Sequence, residues 1–338
     1  MWSTRVKARA RRLLPPTRGE AVILLYHRID SPARDPWGNC VTPQRFAEQL
    51  DAVRSSFEAL RLDDLVDALA RGTVPPRSVC LTFDDGYRDN LYEAKPLLER
   101  YSVPATVFVV SGHVGSGRNF WWDELEAALF GGSALPPLRL ELRSEVFEWA
   151  GVGETDSPPP AWRAWKRPST KRQALYTSLY WKLRGLSHDE RLSVLAGLRE
   201  QIGRVEEKLL TSSGEEIRTL GLGPCVSIGA HTVTHPPLTS LTPDEQRLEL
   251  GGSKQALEEL LGRAVDAVSY PFSAVDDQTV AVAREAGFAY ACAGGDGPVR
   301  RTSPTLGLPR LSVGDWPAEE FVARISNLLR ASREAARA

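Results

Sequence analysis

From Ala21 onward, short apolar runs alternate with longer amphipathic ones, and this alternation limits the fold more than any other feature of the chain. It is the pattern of βα units laid around a parallel sheet or barrel. AVILLYH (21–27), SVCLTF (78–83), ATVFVV (105–110), the start of PCVSIGAHTVTH (224–235), AVSYPF (267–272), FAYACA (288–293) and LGLPRLSV (306–313) read as strands. Residues 42–56 read as a helix with Thr42 as N-cap and Pro43 at its first position. A helix over 88–101 carries Pro96, and another opens on Thr242-Pro243-Asp244-Glu245, a capping box. Helices near 277–287 and from Pro317 complete the pattern.

The rhythm breaks between about 115 and 220, where FWWDELEAALF, a DSPPPAW loop and a long polar helical stretch hold most of the nine tryptophans. The expected organisation is a basic arm at 1–20, an α/β barrel built from 21–115 and 222–325, a helical, Trp-rich insertion at 116–221 and a tail at 326–338.

With 42 basic and 43 acidic residues the net charge is −1, so no global basic field points to nucleic acid. A small substrate or a neutral polymer is the more natural partner. The N-terminal MWSTRVKARARRLLPP is basic, but no apolar signal run follows it, which leads to the expectation of a cytoplasmic protein. No stretch of about 18 apolar residues offers a spanning helix, although the basic arm suits weak contact with an anionic membrane surface. Cys40, Cys80, Cys225 and Cys292 lack CxxC spacing and read as thiols in a reducing compartment.

Residues just past strand C-termini carry the chemistry of βα folds. Asp84-Asp85 follows one strand, His231 and His235 another, and His27 and the Tyr270-Pro271-Phe272 turn two more. Each signal alone has a bland reading: an Asp-Gly turn, a pair of surface histidines. Together they give two imidazoles from one turn and a carboxylate from a second loop, a set that suits zinc or another divalent metal. A cation there also offsets the repulsion between the paired aspartates.

LTFDDGY, GAHTVTH, YPF and LPRLSV, in this order, resemble the motifs of the polysaccharide deacetylase family, the NodB-homology or carbohydrate esterase 4 group. The resemblance implies a distorted (β/α) barrel and hydrolysis of N-acetyl groups on amino sugars with one bound divalent metal, zinc foremost, with cobalt, nickel or manganese as alternatives. Carried over, it makes Asp84 the general base, Asp85, His231 and His235 the metal ligands, and the Tyr87 backbone N–H an oxyanion donor. FWWDELE is similar to an insertion in bacterial members linked to surface-glycan biosynthesis.

Two departures stand out. The family's arginine two residues before the motif proline is Ser269 here, and Arg310 is the candidate to orient Asp84 through a bidentate contact instead. No histidine follows His235, so His27 is the candidate general acid, because a barrel closes its first strand against its last. His113 and His188 read as loop and solvated residues. Tyr270, Pro271, Phe272 and Trp122 are candidates for substrate contact, with core packing the rival reading for the tryptophan. The expected substrate is an N-acetylated amino sugar on a nucleotide, lipid, glycoside or oligosaccharide carrier. The rival functions are hydrolysis of a non-sugar amide, such as a formamide or cyclic imide, and carbohydrate binding without catalysis.

Overall fold

The computed structural model describes residues 19–132, 134–153, 161–203 and 208–335. Most of the basic arm and the Pro-rich residues 156–160 lie outside the described residues. The chain forms two compact units, one of residues up to 31, 39–115 and 212 onward, the other of 32–38 and 116–211.

Seven parallel strands make the frame of the first unit: β1 (Glu20–Tyr26), β2 (Ser78–Phe83), β3 (Ala105–Val109), β4 (Val226–Ala230), β5 (Ala267–Ser269), β6 (Tyr290–Cys292) and β7 (Arg310–Ser312). They pair in the order β6-β5-β4-β3-β2-β1-β7. The gap between β6 and β7 is bridged at Cys292 and Leu308, where Leu308 donates to Ala291 and Ala293 donates to Leu308. The hydrogen-bonded circuit is a distorted barrel with thin joins between β4 and β5 and between β6 and β7.

Side chains alternate across the strands, as their period of two requires. Ala21, Ile23, Cys80, Phe108, Ala267, Cys292 and Leu308 form one buried cluster with Leu62, Leu65 and Leu69 of a helix at Leu62–Arg71. Val22, Leu24, Tyr26, Leu81, Phe83, Val107 and Val268 turn the other way and pack with Phe46, Leu250, Leu257, Phe321 and Ile325 of the surrounding helices. Strands buried on both faces explain why they read as continuous apolar runs. All four cysteines are free thiols, with Cys80 and Cys292 buried.

The expected N-caps are present, Thr42 accepting from Arg45 N–H and Thr242 closing a capping box with Glu245. Three elements differ from expectation. The helix expected over 88–101 begins as a π turn, Asn90–Ala94, and becomes α-helical only at Lys95–Tyr101. Pro96 has no N–H to give an i−4 carbonyl, and the widened turn absorbs that loss. The last helix runs Ala318–Ala335 instead of giving way to a tail at 326, since Ile325 and Leu329 continue its buried stripe. The second unit is also not wholly helical. Beside helices Trp121–Phe130, Lys171–Arg184 and His188–Ile202 it holds a hairpin, Leu138–Leu142 with Glu145–Trp149, whose first strand alternates buried and exposed residues.

Candidate active site

Because β1 to β7 run parallel, their C-terminal ends share one rim. Register sets the neighbours: Tyr26 lies opposite Phe83, and Asp84 N–H donates to the Tyr26 carbonyl, so His27 and Asp84 leave the sheet side by side. Val109 pairs with Ala230 and Ala230 with Val268, which carries His231 and Ser269 to the same rim.

The turn after β2 separates the paired carboxylates. Asp85 and Gly86 both take left-handed backbone, φ 73° and 72°, and a Cβ on Gly86 would lie 3.0 Å from Val109 Cγ2. Asp84 therefore turns to Arg310 and Asp85 to the histidines. Thr232, His235, Phe272 and Ser273 are also left-handed, so five of the eight non-glycine residues with positive φ among the described residues belong to this rim. Each such residue costs roughly 1–2 kcal/mol, a concentration of strain typical of functional loops.

Asp84 is gripped from beneath. Arg310 donates from Nη1 to Oδ1 and from Nη2 to Oδ2, each at 2.7 Å, and Ser269 Oγ donates to Oδ2 at 3.1 Å while accepting from Arg310 Nη2 at 2.8 Å. The guanidinium is itself held by the Ala293 carbonyl and Thr82 Oγ1. Burial pushes the Asp84 carboxyl up, but Arg310, followed by His231, pulls it well below the usual carboxylate range. The serine at the position where the resemblance expects arginine thus joins the same network, and the guanidinium arrives from β7.

Asp85, His231 and His235 are buried and their ligand atoms lie within 4.8 Å of one another. Asp85 Oδ1 is 3.6 Å from His231 Nε2 and 3.4 Å from His235 Nε2. Ligands about 2.1 Å from a shared ion sit roughly 3.0–3.4 Å apart, so both Asp85–histidine separations are close to those of a set that could hold a divalent cation. His231 Nδ1 lies 2.8 Å from the Ser269 carbonyl, which fixes the tautomer that leaves Nε2 with its lone pair. Burial lowers the His231 pKa, although Asp84 opposes this, and so favours the neutral, ligating form.

Sequence reasoning missed Glu249, from the helix Pro243–Leu261. One of its oxygens accepts from Val233 and Thr234 N–H, each at 2.8 Å, and the other from Thr234 Oγ1 at 2.6 Å. The opposite side of the loop is held by Ser111 and Gly112 N–H donating to the Thr232 and Val233 carbonyls. A Cβ at Gly112 would meet the Val233 oxygen at 2.5 Å, so only glycine fits there. Nothing marks Glu249 in the sequence, where it reads as one more acid on a polar helix face. Glu249→Ala is expected to weaken zinc affinity by about tenfold in chelator competition, with Glu249→Gln recovering much of it because the amide oxygen still accepts both N–H groups.

The remaining candidates divide. His27 is partly exposed, and its charge interactions with Asp84, Arg310 and His231 place it at this rim. Burial lowers it to about 4, against the pull of Asp84. Its folded pKa lies below the unfolded value, so the unfolded chain binds more protons between about pH 6.5 and 4, and stability falls as pH falls through that window. Denaturant midpoints across this range should show a shallower slope for His27→Gln than for wild type. Phe272 packs its ring edge against His235, with centroids 4.6 Å apart, beside buried Pro271. Tyr87 is buried under the Arg28 guanidinium, 5.0 Å from its ring.

Two expectations of substrate contact are corrected. Tyr270 is a core residue, 1% exposed, whose hydroxyl donates to the Leu306 carbonyl. Trp122 stacks on Phe120 and meets Trp121 edge-on in the buried interior of the second unit, which leaves no open face for a sugar.

Comparison with known proteins places the barrel in a single class, the deacetylase-type fold. Over 92% of its length the chain superposes on 99% of a Streptococcus pyogenes deacetylase, PplD in complex with acetate, at 18% identity and a TM-score of 0.58. IcaB from Ammonifex degensii gives 0.57 at 18% identity, over 91% of this chain and 97% of that one. A family model described as polysaccharide deacetylase matches residues 71–134 and 203–291. The chain is 32% identical over 114 residues to the poly-beta-1,6-N-acetyl-D-glucosamine N-deacetylase of Staphylococcus aureus (strain N315), a match covering 30% of this chain and 39% of that protein. It thus spans about two fifths of the length of the curated relatives it matches. The family model, the curated relatives and the structural neighbours together support the polysaccharide deacetylase family for this chain.

Proposed function

We propose that the protein hydrolyses the N-acetyl group of an N-acetylglucosamine residue in a glycan, using a divalent cation, zinc foremost, held by Asp85, His231 and His235. One observation carries this reading: an ionised, doubly clamped carboxylate, Asp84 Oδ2, lies 3.8 Å from Nε2 of a histidine in the Asp-His-His set. The substrate for which the relatives are named favours a β-1,6-linked polymer or oligomer over a nucleotide-linked sugar.

A bound cation supplies Lewis acidity, making water more acidic and an amide carbonyl more electrophilic. Asp84 stays ionised at neutral pH and accepts the proton of the attacking water, while Arg310 and Ser269 fix the direction of its lone pairs. The Tyr87 backbone N–H, following the left-handed turn, donates to the oxygen that gains charge. The C–N bond then breaks, giving acetate and an amine that needs a proton. His27, neutral in the resting protein and beside Asp84 on the rim, receives the proton that Asp84 took from water and passes it to that amine, so both residues return to their starting states. Phe272 walls the acetyl side beside His235. The test is acetate release from β-1,6-linked N-acetylglucosamine oligomers by the zinc- or cobalt-loaded protein. Release from simple formamides or cyclic imides but from no N-acetylated sugar would overturn the substrate assignment, and saturable sugar binding without acetate would overturn catalysis.

A further inference from the structure

The second unit carries a face that the proposed reaction does not use. Residues 161–188 hold seven arginines and lysines and no acid, in a chain whose net charge is −1. Arg172 is buried and Arg163 and Lys182 meet Asp35 and Glu145, which leaves Lys166, Arg167, Lys171 and Arg184 as the cations that set the face's charge. Two tryptophans in this run lie open to solvent, Trp165 at 63% and Trp181 at 53% exposure. They belong to one patch. Trp165 packs against Gly38, and the neighbouring Trp37 meets Trp181 edge-on at 6.0 Å and Tyr180 at 4.1 Å. Lys166 and Arg167 are exposed beside Trp165. On the helix Lys171–Arg184 the exposed positions Lys171, Ala174, Ser178, Trp181 and Lys182 follow one face turn by turn, and the Arg184 guanidinium lies over the Trp181 ring at 5.1 Å.

We propose that this face docks on an anionic lipid surface. Indoles rarely stay exposed on a soluble surface without a partner, and tryptophans interleaved with lysine and arginine suit the headgroup zone of a bilayer, where the ring meets the acyl boundary and the cations meet phosphate. Charge chooses the occupant. A neutral N-acetylated glycan gains nothing from a basic face, and its deacetylated product carries ammonium groups that the face repels. That elimination rests on the proposed reaction; the face itself does not. Among the described residues no helix is long and apolar enough to cross a membrane, so the attachment is peripheral and sensitive to salt.

The full chain is sedimented with vesicles of phosphatidylcholine alone and of phosphatidylcholine mixed equally with phosphatidylglycerol. The expected result is binding to the mixed vesicles at low salt, release at high salt and no binding to phosphatidylcholine alone. Trp165→Ala with Trp181→Ala should lower partitioning about tenfold. The triple variant Lys166→Glu, Arg167→Glu, Lys171→Glu should lower it about a hundredfold. Both should keep the wild-type circular dichroism and acetate release from soluble oligomers, if that activity is present, so that loss of docking is read separately from loss of the reaction. A wild type that ignores the mixed vesicles overturns the proposal. So does binding unchanged in both variants but abolished by Arg9→Ser, Arg11→Ser, Arg12→Ser, which would assign the attachment to the N-terminal arm. Binding to dextran sulfate but not to vesicles would make the partner a soluble polyanion and also overturn it.

Discussion

Asparagine in place of Asp84 is expected to lower the kcat of acetate release by about a thousandfold while leaving zinc affinity nearly unchanged. The amide keeps the size of the carboxylate and can still accept from Arg310 or Ser269, but it has no charge with which to take a proton from water. The substitution also leaves the buried Arg310 guanidinium without its counter-ion, and breaking such a pair costs roughly 3–5 kcal/mol. A drop in melting temperature should accompany the loss of turnover, and the two are separated by assaying well below the transition. Wild-type kcat in the variant would remove Asp84 from the reaction. Loss of zinc binding in parallel would move it into the ligand set.

Arg310→Met should do comparable damage from the other side. Methionine fills much of the space but strands the Asp84 carboxylate at 4% exposure with only Ser269 still donating to it. Burial then acts without its main counterweight, so the carboxyl pKa climbs and the resting enzyme loses the ionised base. We expect at least a hundredfold lower kcat and about 3 kcal/mol lower stability, read from acetate release and denaturant titration. Arg310→Lys should recover part of the stability and little of the rate, because an ammonium keeps the charge but not the two-pronged grip. Full activity in the lysine variant would show that charge alone suffices.

The strands and the placing of polar residues on one rim were legible in the sequence because both are local: a βα run announces its own strand, and a polar cluster straight after it lands at the strand's C-terminal end. Arg310 could be chosen because a carboxylate without the arginine that the family resemblance leads one to expect needs another fork, and a barrel brings its last strand beside its first. What stayed hidden depends on pairs far apart in the chain that no local pattern couples. Glu249 supports the histidine loop from 15 residues away through donors that any carboxylate could meet. Tyr270 sits in a motif and looks as though it should face a ligand, yet its hydroxyl serves a carbonyl 36 residues later. The hairpin at 138–149 was masked by aromatic, helix-like surroundings, and segment 32–38 joins the second unit only in three dimensions.

The thin join between β6 and β7 gives the Asp84–Arg310 pair a second consequence. β7 is joined to β1 by three residue pairs and to β6 by a single bridge at Leu308. Arg310 spans that weak join, reaching Ala293 just past β6 and Asp84 at the end of β2. The pair proposed to ready a base therefore also works as a clasp across one of the two thinly joined stretches of the cylinder. Asp84 cannot be exchanged alone without loosening the clasp; only a joint exchange of both residues would spare it, so the identity of this rim carboxylate is tied to the upkeep of the fold.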